Sequence, residues 1–267
     1  MEYANQLDTV FIISPHICHH DQAAACLEAG LDVLLEKPMV MNPHEANSLI
    51  ETRDRTGKLL VVAFQGSLSP QIRTVASLYQ QGALGKLQSI SATVWQNWGE
   101  VSANSWRQDL EISGGGFLFD TGAHMLNTVV DLAGEEISEV SAWLDYNNRP
   151  VEIQGVVLGR LSSGVLVTLH ASGETIPTWG SNIYAFYSEA IVKTGIWGEY
   201  LEIQHAGDDA FEIVDVPASL GVWEQFLAVR MGEMPNPSPP EVGLRMAYLY
   251  QAIKQSSAAN GKLVTIN

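Results

Sequence analysis

Three side chains stand out for chemistry they could do together: Lys37, Asp120 and His124. Lys37 closes the run Val33-Leu34-Leu35-Glu36-Lys37-Pro38. A short apolar run between Gly30 and Pro38 reads as a buried strand. Charge at the end of such a strand is costly unless it is paired or used. In open α/β sheets the carboxyl ends of the strands are where ligands sit. Lys37 is therefore a candidate for proton transfer and Glu36 for holding a ligand. The plain alternative is a strand that surfaces and ends in ordinary charges. Asp120 and His124 are one helical turn apart in Asp120-Thr121-Gly122-Ala123-His124, so a helix puts both on one face. A carboxylate beside an imidazole fixes its tautomer and supports its charged form, which suits proton transfer. A local pair on a solvated face is again the plain alternative. Gly122 costs about 1 kcal/mol inside a helix, which is easier to understand if something packs close there. Gly114-Gly115-Gly116 lies just upstream, and a helix start behind it would suit an anion.

The elements that must position these residues fall into two textures. Val10–Ser14 reads as a strand ended by Pro15, His19–Ala29 as a helix stopped by Gly30, and Val33–Leu35 as the next strand. This is a βαβ unit with parallel strands and a right-handed crossover. Asn42-Pro43-His44-Glu45 opens a second helix that closes at Gly57. Leu59–Phe64 is a third buried strand, and Ser69-Pro70 starts a helix that ends by Gly82. Strand and helix alternate throughout, as in doubly wound folds.

From Lys86 onwards strands dominate. Leu87–Trp98 is long and partly polar, 97–116 is irregular, and Phe117–Leu132 is a helix stopped by Gly134. Strands follow at Ile137–Tyr146, Val156–Leu161, Val165–Ala171, Ile183–Tyr187, Ala190–Lys193, Tyr200–Gln204 and Phe211–Val214. Hairpin turns at Ser162-Ser163-Gly164 and Ile196-Trp197-Gly198 make this an antiparallel sheet. Helices over Leu220–Met231 and Pro239–Ala258, the second behind a Ser238–Glu241 capping box, and a strand at Leu263–Ile266 finish the chain. The expected fold is a parallel βαβ region followed by an open antiparallel sheet with helices on one face. The division falls near residues 65–86, giving regions 1–85 and 86–267.

Bulk properties exclude several function classes. The 267 residues are 46% hydrophobic and 16% charged, against a usual charged share of about 25%, which argues against disorder. A net charge of −16 argues against nucleic acid or an anionic membrane as partner. No apolar run reaches the roughly 18 residues of a membrane span, and the start Met1-Glu2-Tyr3-Ala4-Asn5 has no secretory pattern. Cys18 and Cys26 have no CxxC spacing, so a reducing cytoplasm fits best. His16, His19 and His20 lack a carboxylate or cysteine at a familiar ligand spacing, so no metal is expected. Cys18 reads as a turn residue rather than a nucleophile. Trp95, Trp98 and Trp106 could line a sugar pocket, with core packing the plainer reading. Arg107 could meet a substrate or form a salt bridge.

Ser14-Pro15-His16-Ile17-Cys18-His19, Glu36-Lys37-Pro38, Gly114–Gly116 with Asp120-x-Gly122-x-His124, and the two late helices come in an order that resembles the Gfo/Idh/MocA oxidoreductases. The resemblance implies a Rossmann domain, an open α/β domain, and oxidation or reduction of sugars or polyols with NAD or NADP. It implies that Lys37 contacts the substrate hydroxyl and assists proton transfer. Glu36 would lie by the nicotinamide-side ribose, and Ser14, Pro15, His16 and His19 would form the turn under the cofactor. His124 would be the acid–base or positioning histidine, with Asp120, Trp106 and Arg107 at the substrate. A homodimer or homotetramer through the C-terminal sheet is implied as well. Three departures stand out. The glycine-rich phosphate turn and its flanking strands are not found, since Gly30 is the single glycine before Gly57. His16 stands where the family prefers asparagine, and Gln65-Gly66-Ser67 where arginine or asparagine is usual. The first departure predicts that residues 1–85 are a remnant Rossmann domain, that Met1 falls before the family's fourth strand, and that the chain is a fragment, mis-called start or decayed gene with poor dinucleotide binding. The alternative is a non-catalytic sensing or scaffold protein on the same fold. Lyase or glycosidase chemistry with a bound NAD uses similar residues.

Overall fold

The computed structural model describes residues 4–266; Met1 and the expectation attached to it lie outside them. The first half alternates as the sequence pattern requires: β1 (Thr9–Ile12), α1 (His19–Glu28), β2 (Asp32–Leu35), α2 (Pro43–Thr56), β3 (Leu60–Val62), then α3 (Gln65–Leu68) and α4 (Pro70–Gln80). The three strands form one parallel sheet in the order β1-β2-β3, with Val10 opposite Val33 and Val33 opposite Leu60. Asn42 caps α2 by accepting the Glu45 N–H at 3.0 Å, and Gly57 ends it in the left-handed conformation at φ 64°.

The second half opens with β4 (Leu87–Gln96) and four short helices, α5 (Trp98–Val101), α6 (Leu110–Ser113), α7 (Phe117–Asp120) and α8 (Gly122–Ala133). Strands β5 (Ile137–Asp145), β6 (Gln154–Leu161), β7 (Leu166–Ser172), β8 (Trp179–Tyr187), β9 (Ala190–Thr194), β10 (Leu201–His205) and β11 (Glu212–Ile213) follow. Helices α9 (Val222–Arg230) and α10 (Pro240–Ala258) and strand β12 (Val264–Thr265) end the chain. The nine-stranded sheet runs β11-β10-β9-β8-β4-β7-β6-β5-β12. It is antiparallel except where β4 pairs parallel with β7. Alternation along β6 sends Gly155, Val157, Gly159 and Leu161 inward and leaves Val156 and Leu158 on the open face.

Several expectations need correction. The helix expected over Phe117–Leu132 is two helices that meet at Thr121. The region 97–116 is short helices rather than irregular chain. β8 starts at Trp179, four residues before the expected Ile183, because Trp179-Gly180-Ser181-Asn182 carries turn-like residues but pairs with β4 throughout. The Ser238 capping box does not form. α10 starts after Pro239 with no side-chain cap, and the Ser238 hydroxyl is buried without a partner. Ser238 serves the sheet instead: its carbonyl accepts the Val62 N–H at 2.9 Å and Asn236 Nδ2 donates to Leu60 O at 3.1 Å, covering the free edge of β3. α9 closes one face of the same sheet, with Phe226 fully buried against Leu34, Val61 and Ala63. The late part of the chain therefore packs back on the first sheet.

Candidate functional site

The Lys37 and Asp120 side chains meet across the two halves. β2 ends at Leu35, so Glu36 and Lys37 emerge at the carboxyl end of a buried strand. Lys37 Nζ donates to Asp120 Oδ1 at 2.8 Å and to the Asp120 carbonyl at 2.9 Å. Asp120 is the last residue of α7, and its Oδ2 accepts from Trp98 Nε1 at 3.0 Å and Arg107 Nε at 3.1 Å. Burial alone would raise the Asp120 pKa. The Lys37 ammonium and the bonds from Lys37 and Trp98 outweigh it and hold the carboxyl well below the usual range. Two of the three ammonium protons of Lys37 are committed to Asp120, which leaves one for a ligand.

His124 does not pair with Asp120, contrary to the spacing argument. The chain keeps helical dihedrals through Thr121, but the Asp120 carboxylate is turned to Lys37, Trp98 and Arg107. His124 is buried between Phe64 and Trp197, with ring centroids 6.0 and 5.8 Å away, and its Nδ1 has no partner. Burial drives its pKa well below the ordinary value, so the ring is neutral near pH 7. Gly122 is tight as expected: a Cβ there would stand 2.8 Å from Leu118 Cδ1.

The turn after β1 is built from hydrogen bonds to the main chain. His16 Nδ1 lies 2.7 Å from Ser113 O, and its ring meets Trp106 edge-on at 4.8 Å. Burial pushes His16 down to about 4. His19 is fully buried with Nδ1 2.9 Å from Pro38 O and Nε2 2.8 Å from Ser14 O. A neutral ring carries one N–H, so His19 donates to one of these two carbonyls while its ring packs between Ser14 and Pro38. Ser14 Oγ donates to Gln22 Oε1 at 2.6 Å. Glu36 Oε2 accepts the Lys37 N–H at 3.0 Å, while Oε1 has no protein partner among the described residues. Burial raises the Glu36 pKa, and the Lys37 charge opposes this.

Other candidates separate. Arg107 makes the salt bridge to Asp120 and stacks over Trp106 at 4.5 Å. Trp98 joins the cluster as a hydrogen-bond donor, whereas Trp95 packs on Gly180 of the neighbouring strand. The helix start behind Gly114–Gly116 is not open to an outside anion, because the carboxylate of Glu152 sits on it. Sequence reasoning missed Glu152, Trp197 and Tyr250; an acid between Val151 and Ile153 was the one available signal for Glu152. No group of three or more His, Cys, Asp or Glu able to hold a metal occurs among the described residues.

A family model described as the oxidoreductase family, NAD-binding Rossmann fold, matches residues 1–64, and one described as the GFO/IDH/MocA C-terminal domain matches 72–192. The chain belongs to the Gfo/Idh/MocA family. An oxidoreductase of Formosa agariphila is 31% identical over 48% of this chain and 41% of its own length. D-glucoside 3-dehydrogenase of Escherichia coli is 30% identical over 48% of this chain and 36% of its own length. The scyllo-inositol 2-dehydrogenase (NADP(+)) of Bacillus subtilis is 25% identical over 94% of this chain and 69% of its own length. The matches thus span about two fifths of the first two relatives. The aldose-aldose oxidoreductase of Caulobacter crescentus has the same fold, with a TM-score of 0.86 at 19% identity over 99% of this chain and 81% of that one. Levoglucosan dehydrogenase, solved with NADH and levoglucosan, gives a TM-score of 0.84 at 22% identity over 97% of this chain and 80% of that one.

The cofactor class implied for this Gfo/Idh/MocA chain is NAD(P), and its residues fit one end of such a dinucleotide. The unpartnered Glu36 Oε1 suits a ribose hydroxyl beside Lys37 at the strand ends. The pyrophosphate end has no glycine-rich turn in these residues, since Gly30 is used at φ 82° to leave α1.

Proposed function

We propose that the protein is an NAD(P)-dependent oxidoreductase acting on a sugar, polyol or derivative. The observation that carries this is the Lys37–Asp120 pair at the carboxyl end of the parallel strands, with the neutral, unpartnered His124 on the adjoining helix. Glu36 and Lys37 would hold the nicotinamide-side ribose over the Ser14–His19 turn. A bound nicotinamide takes up or returns the hydride. Lys37 directs its remaining N–H at the reacting oxygen and stabilises the charge that grows there. His124, holding a neutral imidazole, takes the hydroxyl proton in oxidation and returns it in reduction. Asp120 keeps Lys37 charged and aimed, and Trp106 and Arg107 line the substrate side.

The same reading divides the chain at about residue 85 into a cofactor part and a substrate part. It places the protein in the cytoplasm, in keeping with two free cysteines. No helix among the described residues is long and apolar enough to cross a membrane. A homodimer or homotetramer would form through the open sheet face, where Trp143, Val156, Leu158 and Leu166 are exposed; a monomeric mass by light scattering at micromolar concentration contradicts it. Because the phosphate turn is not found, the 267-residue chain binds dinucleotide weakly.

The test is polyol-dependent reduction of NAD and NADP by wild type and Lys37→Met, beside calorimetric titration of both dinucleotides. Turnover that needs Lys37 supports the reading. Micromolar affinity contradicts the weak-binding proposal alone. No binding and no turnover favours the sensing or scaffold reading.

A further inference from the structure

The Lys37–Asp120 pair is placed by α7, a helix of one turn, too short to hold its own direction. Its far end is held by a buried acid outside the pair. Glu152 lies between β5 and β6 and is 2% exposed. Its Oε2 accepts the Gly116 N–H at 2.7 Å and its Oε1 the Phe119 N–H at 3.2 Å. Its main-chain carbonyl accepts the Phe117 N–H at 2.9 Å. These are three of the amides that a helix start leaves without intrahelical partners. The Tyr250 hydroxyl of α10 lies beside the same carboxylate, and the Tyr250 ring lies 4.5 Å from that of Phe119. The glycine run follows from this packing. A Cβ on Gly116 would stand 1.9 Å from Glu152 O, and one on Gly115 would stand 2.4 Å from the Tyr250 hydroxyl.

We infer that Glu152, braced by Tyr250, is a positioning residue that fixes α7 and thereby sets Asp120 against Lys37 Nζ, Trp98 Nε1 and Arg107 Nε. The inference rests on the Lys37–Asp120 pair being the working pair, as proposed above. Glu152 touches neither Lys37 nor the reacting atoms. It acts through the direction of one helical turn, whose first amides it binds and whose last residue is Asp120. Glu152→Gln keeps the volume but replaces one acceptor oxygen with an amide group that faces an N–H donor. One cap bond is lost and a donor meets a donor. Tyr250→Phe removes the hydroxyl beside the carboxylate and keeps the ring packing.

The indole N–H of Trp98 reports on this directly, because it is bonded to Asp120 Oδ2. Its signal in 15N-labelled protein, assigned with Trp98→Phe, is measured in wild type, Glu152→Gln, Tyr250→Phe and a control, Leu49→Ala in the core of α2. The expected result is a displaced Trp98 signal with about tenfold faster solvent exchange in Glu152→Gln, and a smaller displacement in Tyr250→Phe. Leu49→Ala lowers stability and leaves the signal in place. An unmoved signal in folded Glu152→Gln overturns the inference. If that variant does not fold, an unmoved signal in Tyr250→Phe overturns it equally. Equal displacement in Leu49→Ala also overturns it, since general loosening then accounts for the change. The measurement needs no hydride transfer. Wild type without polyol-dependent turnover but with displaced variant signals refutes the proposed function and leaves the hold of Glu152 on Asp120 standing.

Discussion

His19 and His124 both lie within reach of the Lys37 charge, and both are buried with pKa values lowered by burial. They differ in their partners. His19, at the turn after β1, has its ring nitrogens 2.9 and 2.8 Å from the carbonyls of Pro38 and Ser14, and its single N–H is bonded to one of them. His124, in α8, leaves a buried Nδ1 with nothing to bond. The first ring serves the fold through its bond to a main-chain carbonyl, while the second has Nδ1 buried and would meet a substrate through Nε2. Burial and residue type are the same in both regions; the state of the hydrogen bonds distinguishes them.

The largest effect is expected at Lys37, whose charge both rings feel. Lys37→Met is expected to lower kcat about 1,000-fold, within the range for a lost donor to the developing charge, and calorimetry is expected to find weaker dinucleotide binding as well. Retained turnover would remove the functional side of the comparison. Asp120→Asn leaves the Lys37 charge half-buried with no carboxylate and is expected to cost about 3 kcal/mol in urea unfolding.

The pH dependence tests the turn as a structural region. His16 is held at about 4 in the fold against 6.5 when unfolded. The unfolded chain therefore binds more protons between those values, and stability falls as pH drops from 6.5 to 4. The loss from this group is about 3 kcal/mol, and His16→Gln should flatten the slope of stability against pH over that window. The smallest effects separate the two rings directly. His19→Gln is expected to lower stability by about 2 kcal/mol with kcat within a few-fold of wild type. His124→Gln should reverse this, with kcat down about 100-fold and the urea midpoint nearly unmoved. The opposite pattern would exchange the roles of the two histidines.

Much of this was legible in the residues. Apolar runs and Gly and Pro punctuation placed β1 to β3 and the helices between them, and put Glu36-Lys37 at a strand end, where they stand after β2. The Asp120–His124 spacing misled, because it cannot show that Lys37, Trp98 and Arg107, remote in sequence, draw the carboxylate away. Ser238 misled in the same way, since a capping pattern is local and its carbonyl was claimed by β3.

The sequence by itself determined the strand and helix order, the family, and the types of residue available for proton transfer, because these depend on neighbours along the chain. Only the tertiary structure decided which groups meet. Lys37 and Asp120, Glu152 and the amides of α7, and the bare Nδ1 of His124 arise between elements remote in sequence, where the direction of one short helix and the competition for hydrogen-bond partners settle the outcome.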